Sequence, residues 1–455
     1  MKKFLFIVSV TLLSLHISFI SYSQNESNPE GSWYGLLNIQ GVELKLVFHL
    51  LKDGNLYTAL MDSPDQHAYG IPVTSITFEN SILRIAVSNA MIEYVGVYTG
   101  NRFMGTFKQG GASYPLNLSR RAFDIPKRPQ EPLKPYPYTE EDIFFVNYDD
   151  SIVLAGTLAL PKSNSIQTAV VLISGSGPQN RDCEIMGHKP FLVISDYLVR
   201  RGIAVLRYDD RGIGYSGGKQ ANSTTKDFAS DVVYSLKYLR SRRELTSARI
   251  GMIGHSEGGV IAPIVASNEN LADFMVLLAS PAMKGYEVIL KQQSLIAAGS
   301  GVSEKELLEY EKTSQELFDL VGKNRENPHL LDLVVEFMKQ NAPNEIESTI
   351  RSQAKAIVNP WMLDFLFYDP IPALNKSYIP ALALNGENDL QVPVSNLKLI
   401  EESYGRKDII TVMGIPGVNH LFQTSLTGLP QEYSTIEETF AEKVLEIIYE
   451  WVSAH

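Results

Sequence analysis

Residues 249–262 read RIGMIGHSEGGVIA and give the strongest indication of the fold. The first five, which are apolar after Arg249, predict a buried strand, and the last five favour a helix. Between them, Gly254, Ser256 and Gly258 fit the pattern G-x-S-x-G. A sharp strand-to-helix turn of this kind lifts the serine hydroxyl clear of the sheet, and a side chain at either glycine would collide within it. Ser256 is therefore the candidate nucleophile; the alternative is a glycine-rich turn that buries an ordinary serine.

A serine hydroxyl is a weak nucleophile near neutral pH and needs a base within hydrogen-bond reach. In folds that carry a serine on such a strand-to-helix turn, the chain order is nucleophile, acid and then histidine. Only His420 and the terminal His455 follow every candidate acid. We predict His420 as the base because it lies in a loop after a predicted strand, whereas the chain end is expected to fray.

The acid that orients this base should follow a strand between Ser256 and His420. The loop 385–393 comes after the apolar run 381–384 and carries two carboxylates, Glu387 and Asp389. We predict Asp389, which would accept the Nδ1–H of the histidine. Glu387 is the rival, and either carboxylate could instead be a solvated turn residue.

An oxyanion formed at Ser256 needs preorganised hydrogen-bond donors. One donor is predicted to be the backbone N–H of Glu257, the residue after the nucleophile. The second is predicted to be the backbone N–H of Ser176, in the glycine-rich loop 174–178 that follows the strand 169–173. The plain alternative for that loop is a connection without a chemical role.

Other motifs point to structure rather than to a cofactor. Residues 209–217 contain G-x-G but lack the third glycine of a dinucleotide site, so we expect Asp210 and Arg211 to pair and to brace the active-site loops. There is no phosphate loop, CxxC or HExxH pattern, so neither a cofactor nor a metal is expected. Cys183 is the single cysteine, so it cannot form an internal disulfide and is predicted to be a buried bystander.

From residue 142 onward, apolar runs alternate with amphipathic segments, which predicts a mostly parallel sheet with helices on both faces. A mainly helical stretch, residues 286–370, interrupts this rhythm and is predicted to be a cap. The predicted strands are 169–173, 203–206, 249–253, 274–278, 381–384 and 408–412, and the main predicted helices are 191–201, 227–240 and 436–452.

The first part of the chain has a different composition. Residues 24–121 hold short β-branched and aromatic runs separated by turn signals, which predicts a small all-β barrel or sandwich. Residues 122–141 are rich in proline and are predicted to be a linker. Residues 1–23 have the pattern of a signal peptide, with cleavage before Gln24, so the protein is expected to be secreted or periplasmic. The alternative for that segment is an N-terminal membrane anchor.

Bulk composition narrows the classes of partner. The chain has 455 residues, 44% hydrophobic and 20% charged, as is typical of a globular protein with a large core. Its formal net charge of −11 argues against nucleic acids and anionic membranes as partners, because both bind basic patches.

Residues 142–455 resemble the α/β-hydrolase superfamily, and within it the secreted esterases of the EstD type, which carry a domain similar to serine aminopeptidase S33. The resemblance implies ester-type acyl transfer, with a small-molecule or glycan ester as the expected substrate. One departure is the oxyanion loop, where many members have His-Gly and this chain has Ser174-Gly175. The stretches that carry the resemblance are 174–182, 210–217, 254–259, 361–370, 386–389, 392–393 and 419–420, with 62–66 in the β-rich part.

Three functions are open at this point. The first is a carboxylic ester hydrolase acting on short acyl groups, including acetyl groups on glycans. The second is a serine peptidase with the same triad, in which acidic cap residues would hold a substrate amine, although they fit a solvated helix face equally well: Glu304, Glu306, Glu309 and Glu311. The third is a non-catalytic glycan-binding protein whose aromatic residues stack on sugars: Trp33, Tyr34, Tyr57, Tyr69, Tyr94 and Tyr98.

Overall fold

The computed structural model describes residues 28–39, 42–54, 56–66, 68–123, 126–163 and 165–455. The predicted signal peptide, residues 1–23, and its cleavage before Gln24 lie outside the described residues. The chain divides into two compact units between residues 125 and 126. Within the described ranges, every helix is too short or too polar to cross a bilayer.

The N-terminal unit is one antiparallel sheet of nine strands in the order β4-β3-β2-β1-β9-β8-β7-β6-β5. Most strands pair with their neighbours in sequence, and β1 joins β9 in the middle of the sheet. The strands are β1 Gly31–Ile39, β2 Val42–Asp53, β3 Leu56–Ser63, β4 Ala68–Pro72, β5 Ser75–Glu79, β6 Ile82–Val87, β7 Ile92–Tyr98, β8 Arg102–Gln109 and β9 Ala112–Ser119.

This sheet curls around its own core. Phe48 on β2 stacks on Tyr94 on β7 with ring centroids 5.7 Å apart, although three strands lie between them in the sheet. Trp33 on β1 packs edge-on against Phe103 on β8 at 4.5 Å. Because side chains from distant strands meet on one face, the sheet is a half-barrel. The structure therefore has the barrel-like form of the all-β prediction rather than two stacked sheets.

The second unit is built on an eight-stranded mixed sheet in the order β10-β11-β13-β12-β14-β15-β16-β17. Strands β10, β11 and β13 pair antiparallel, and the remaining pairs are parallel. The strands are β10 Thr139–Asn147, β11 Ile152–Leu160, β12 Thr168–Ile173, β13 Ile203–Tyr208, β14 Arg249–His255, β15 Phe274–Leu278, β16 Ala381–Gly386 and β17 Ile410–Ile415.

Helices cover both faces of this sheet. Successive residues of a strand point to opposite faces, and here both sets are apolar, so both faces need a helical layer. On β12, Ala169 and Val171 join the core under one helical layer, while Val170 and Leu172 join the core under the other. The helices are α1 Pro190–Val199, α2 Thr225–Ser241, α3 Glu257–Asn268, α4 Gly285–Gly299, α5 Glu304–Lys323, α6 Leu330–Asn341, α7 Glu347–Ile357, α8 Pro360–Phe367, α9 Ile371–Asn375, α10 Asn396–Ser403 and α11 Glu442–Ala454.

Six of these helices, α4 to α9, lie between β15 and β16 in the chain, and the first five of them, α4 to α8, form the cap. They share an apolar cluster of their own that includes Phe318, Val334 and Leu366. The cap is therefore a packed helical insertion with its own core, and it follows the carboxyl end of β15.

Three predicted boundaries are wrong. The predicted linker 122–141 overlaps β10, in which Thr139 already pairs with Leu160 on β11. The predicted strand 408–412 begins only at Ile410, because Lys407–Ile409 is a 3-10 turn.

The predicted helix 436–452 begins only at Glu442. The side chain of Gln130 accepts hydrogen bonds from the backbone N–H groups of Thr439 and Phe440 at 2.7 and 2.9 Å. These two groups are thus held by a residue 309 or more positions away in the chain, which a local apolar pattern cannot reveal.

Candidate active site

Ser256 sits at the turn between β14 and α3. Its backbone has φ 53° and ψ −117°, a region that residues with a side chain rarely adopt. A Cβ at Gly254 would lie 2.1 Å from the carbonyl oxygen of Gly258, and one at Gly258 would lie 2.2 Å from that of Ile173. The turn is therefore too tight for side chains at these two glycines, and the strain falls on the serine.

His420 and Asp389 come together from loops after β17 and β16. The Nδ1 of His420 is 2.8 Å from Oδ2 of Asp389, and the two residues are 5% and 3% exposed. The other oxygen of Asp389 accepts from the backbone N–H groups of Gln391 and Val392 at 2.8 and 2.9 Å. Glu387 is exposed instead, so the structure places Asp389 and not its rival beside the histidine.

Ser256 and His420 line the same cavity, whose volume is about 110 Å³. Gly175, Ser176 and three further polar residues, Gln179, His255 and Gln391, also line it. The rest of the wall is apolar or sulfur-bearing and consists of Cys183, Ile185, Pro190, Phe191, Ile194, Leu278, Leu421 and Phe440. The lining includes no carboxylate, so this cavity suits an uncharged group beside the serine.

The glycine-rich loop 174–178 lies against the elbow. A Cβ at Gly175 would come within 3.1 Å of Ser256 Cβ. Asp210 holds both ends of this loop: its carboxylate accepts hydrogen bonds from the Ser174 hydroxyl at 2.6 Å and from the backbone N–H of Gln179 at 2.9 Å. Burial raises the pKa of Asp210 to about 7, against the effect of these two hydrogen bonds.

The predicted pairing of Asp210 with Arg211 is wrong. Arg211 pairs instead with Asp231 on α2 at 2.7 Å and with Asp150 at 2.8 Å. Both oxygens of Asp210 are already occupied by the loop that carries Ser176. Neighbours in sequence thus serve different parts of the structure: Asp210 braces the loop, and Arg211 ties the turn after β13 to α2.

Two residues near Ser256 and His420 were given no part in the site by the sequence. His255 Nε2 lies 2.9 Å from the backbone carbonyl of His420, and burial lowers the pKa of His255 to about 3. The neutral ring therefore donates to the backbone of the candidate base. Cys183 lines the cavity, and burial raises the pKa of its thiol to about 12, so it contributes an uncharged wall rather than a thiolate.

The carboxyl group of Glu257 is a third feature that sequence reasoning missed, since only its backbone N–H was considered. It accepts hydrogen bonds from Thr225 at 2.7 Å and from the indole of Trp361 at 3.1 Å. The one signal in the sequence was an acidic residue inside an otherwise apolar strand–turn–helix stretch. Its partners lie 32 and 104 positions away, so the sequence could not name them.

Comparison with known proteins gives one family model and several relatives. The model described as serine aminopeptidase, S33, matches residues 189–331. Esterase EstD of Thermotoga maritima is 26% identical over 272 residues, which is 59% of this chain and 58% of the relative, so the match spans less than two thirds of that protein.

Solved structures with a similar fold include an esterase of Pyrococcus furiosus, Pf2001, with 15% identity and a TM-score of 0.44 over 73% of this chain and 99% of that one. The α/β hydrolase GrgF of Penicillium sp. sh18 has 15% identity and a TM-score of 0.45 over 70% and 99%.

The chain's own geometry carries the assignment. A mixed sheet with a strand–turn–helix elbow at Ser256 after β14, an acid after β16 and a histidine after β17 is typical of the α/β-hydrolase fold. The family model covers α1 to the start of α6 within that sheet and cap. The second unit of the chain therefore has the α/β-hydrolase fold.

Proposed function

We propose that the protein is a carboxylic ester hydrolase that works through an acyl-enzyme on Ser256. The observation that carries this proposal is the buried hydrogen bond between Asp389 and His420, since His420 lines the same cavity as Ser256. The name of the Thermotoga maritima relative, an esterase, points to the same chemistry.

The proton transfers follow from the direction of that bond. An ionised Asp389 can only accept, so Nδ1 of His420 carries the proton and Nε2 is free to act as a base. Nε2 takes the Ser256 proton as Oγ attacks the ester carbonyl, and then gives it to the departing alcohol. Water deacylates the enzyme by the same route. The backbone N–H groups of Glu257 and Ser176 are the proposed donors to the oxyanion.

The cavity supports short acyl groups as substrates. Pockets for drug-sized ligands have volumes of roughly 300–1,000 Å³, whereas this one measures about 110 Å³. Its apolar wall, with Phe191 and Phe440, offers room for a few carbon atoms beside the serine. Acetyl esters, including those on glycans, meet this size limit.

The aminopeptidase alternative has less support. The acidic residues of the cap helix α5, Glu304, Glu306, Glu309 and Glu311, are all exposed to solvent. Among the residues lining the cavity, none carries a carboxylate to hold a substrate amine. The glycan-binding alternative also loses support, because Trp33 and Tyr94 are fully buried in the half-barrel core.

We also propose that the protein is exported. The support is in the sequence alone: Lys2 and Lys3 precede an apolar run that ends in small residues before Gln24.

Turnover of p-nitrophenyl acetate, butyrate and octanoate tests the proposed activity. Ser256→Ala should abolish turnover, and Ser267→Ala, on the same helix α3 but bonded only to the Ile264 carbonyl, should retain it. Acetate and butyrate should be turned over faster than octanoate, and all three faster than an aminoacyl p-nitroanilide. Full activity in the Ser256→Ala variant, or a preference for the anilide, would refute the proposal.

A further inference from the structure

Glu257 is an unusual residue to find directly after a nucleophile. It is 2% exposed and is the first residue of α3, yet its side chain is ionisable. Burying a carboxylate is unfavourable unless hydrogen-bond donors surround it. Here burial raises the pKa of Glu257, and hydrogen bonds from Thr225, Trp361 and the Ser176 hydroxyl act against that rise.

The donors to this carboxylate come from separate parts of the unit. Thr225, the first residue of α2, donates through Oγ1 to Oε1 at 2.7 Å. Trp361 in the cap helix α8 directs its indole Nε1–H between the two oxygens, 3.1 Å from each. The side chain of Glu257 therefore connects the elbow to α2 on one side and to the cap on the other.

Trp361 is itself held in place. Its ring stacks on Phe365, one turn further along α8, with centroids 5.5 Å apart and an angle of 22°. A Cβ at Gly285, the start of α4, would lie 2.2 Å from the Phe365 carbonyl oxygen, so α8 and α4 are in close contact. The position of the Trp361 indole, and so of its hydrogen bonds to Glu257, therefore depends on how the cap is packed.

A fixed position matters at this residue because its backbone N–H is the proposed oxyanion donor. Donors stabilise a developing charge only when they are aimed before the reaction, and losing one such donor typically slows catalysis by about 10²–10³-fold. A side chain anchored at two points limits the freedom of its own peptide group.

We propose that Glu257 is a positioning residue whose carboxylate, held by Thr225 and Trp361, aims the elbow N–H and couples the oxyanion hole to the cap helix α8. This inference rests on the proposed function, since the hole has a role only if acyl transfer occurs at Ser256. It assigns to the cap a part in the chemical step.

Two variants separate the hydrogen bond from the bulk of the side chains. Trp361→Phe keeps an aromatic ring but removes the indole N–H, and Glu257→Ala removes the acceptor. Phe367→Leu is the control, because Phe367 lies on the same helix but packs against Tyr286 rather than against Trp361. For each variant, kcat and KM are measured with p-nitrophenyl acetate, together with the inhibition constant of a methyl trifluoromethyl ketone, which forms a tetrahedral adduct with the serine.

Trp361→Phe should lower kcat about 5- to 20-fold and Glu257→Ala about 10²-fold, with KM nearly unchanged and ketone affinity reduced by similar factors. The double variant, Trp361→Phe with Glu257→Ala, should match Glu257→Ala alone. Both substitutions remove the same hydrogen bond between the indole and the carboxylate. Phe367→Leu should change kcat less than threefold.

The inference is overturned if Trp361→Phe leaves kcat and ketone affinity unchanged, or if its effect appears in KM alone. Should Glu257→Ala fail to fold, the Trp361→Phe result decides by itself. Failure of the proposed function looks different: the unaltered protein would then turn over no ester, or Ser256→Ala would remain active.

Discussion

His420 donates from Nδ1 to Oδ2 of Asp389 at 2.8 Å, while Oδ1 of the same carboxylate accepts two backbone N–H groups from its own loop. Both oxygens of Asp389 thus accept hydrogen bonds, which fix the orientation of the carboxylate. Because Nδ1 of His420 is the donor, the ring is held in the tautomer that leaves Nε2 able to accept a proton. The pair therefore supplies both the orientation and the tautomer that a general base needs.

Asp389→Asn should lower kcat about 10³- to 10⁴-fold with little loss of secondary structure, because an amide can present N–H to the ring and favour the wrong tautomer. The control is Glu387→Gln, at the exposed rival position, which should keep at least half of the activity. Steady-state kinetics on p-nitrophenyl acetate measure both. Equal losses in the two variants would contradict the assignment of the acid.

The strain at the elbow predicts an order of stability between two inactive variants. Since Ser256 has φ 53° and ψ −117°, glycine fits this backbone better than alanine does. Ser256→Gly should therefore be more stable than Ser256→Ala by about 1–2 kcal/mol in its free energy of unfolding. Urea unfolding followed by circular dichroism gives the difference, and a more stable alanine variant would show that the serine carries no such strain.

Gly258→Ala should destabilise the protein by about 3 kcal/mol or more, because its Cβ would lie 2.2 Å from the backbone oxygen of Ile173. Gly299→Ala is a matched control at the end of α4, where the nearest atom is a flexible Leu429 side chain at 3.2 Å. That variant should change the free energy of unfolding by less than about 1 kcal/mol. Urea midpoints compare the two, and similar values for both would refute the steric account of the elbow.

His188 should make stability depend on pH. It is buried between Thr439, the Tyr433 carbonyl and Gln423, and burial lowers its pKa from 6.5 to about 4. Between pH 6.5 and about 4 the unfolded chain binds a proton that the folded state does not, so stability falls as the pH falls through this window and is fully present above it.

His188→Gln should flatten this part of the pH profile of the free energy of unfolding, even though it lowers stability overall. His329→Gln, at an exposed position on the cap, should leave the slope as it is. Urea unfolding at several pH values from 4.5 to 7.5 measures the slopes. An unchanged slope in the His188→Gln variant would contradict the buried neutral histidine.

The sequence predicted those parts of the site that depend on chain order and local pattern. Ser256 follows an apolar strand, and only His420 among the non-terminal histidines comes after every candidate acid. The choice between Asp389 and Glu387 was less firmly predicted, because both carboxylates lie in the same polar loop. The structure separates them by burial: one carboxylate is enclosed with the histidine and the other faces solvent.

Contacts between distant parts of the chain were beyond such reasoning. Arg211 binds Asp231 rather than its neighbour Asp210, because α2 brings a second carboxylate within reach and Asp210 is already occupied. The indole of Trp361 reaches Glu257 only after the cap has packed. These partners are set by tertiary packing, which no single-sequence periodicity encodes.

Mass spectrometry of the protein after reaction with diethyl p-nitrophenyl phosphate tests whether Ser256 is the nucleophile. Serine attack on phosphorus releases p-nitrophenol and leaves a stable diethylphosphoryl group. We expect one adduct per chain, mapped to the peptide containing Ser256, with loss of esterase activity in step with labelling and much slower labelling in His420→Ala. An adduct on another residue, or full loss of activity without modification of Ser256, would contradict it.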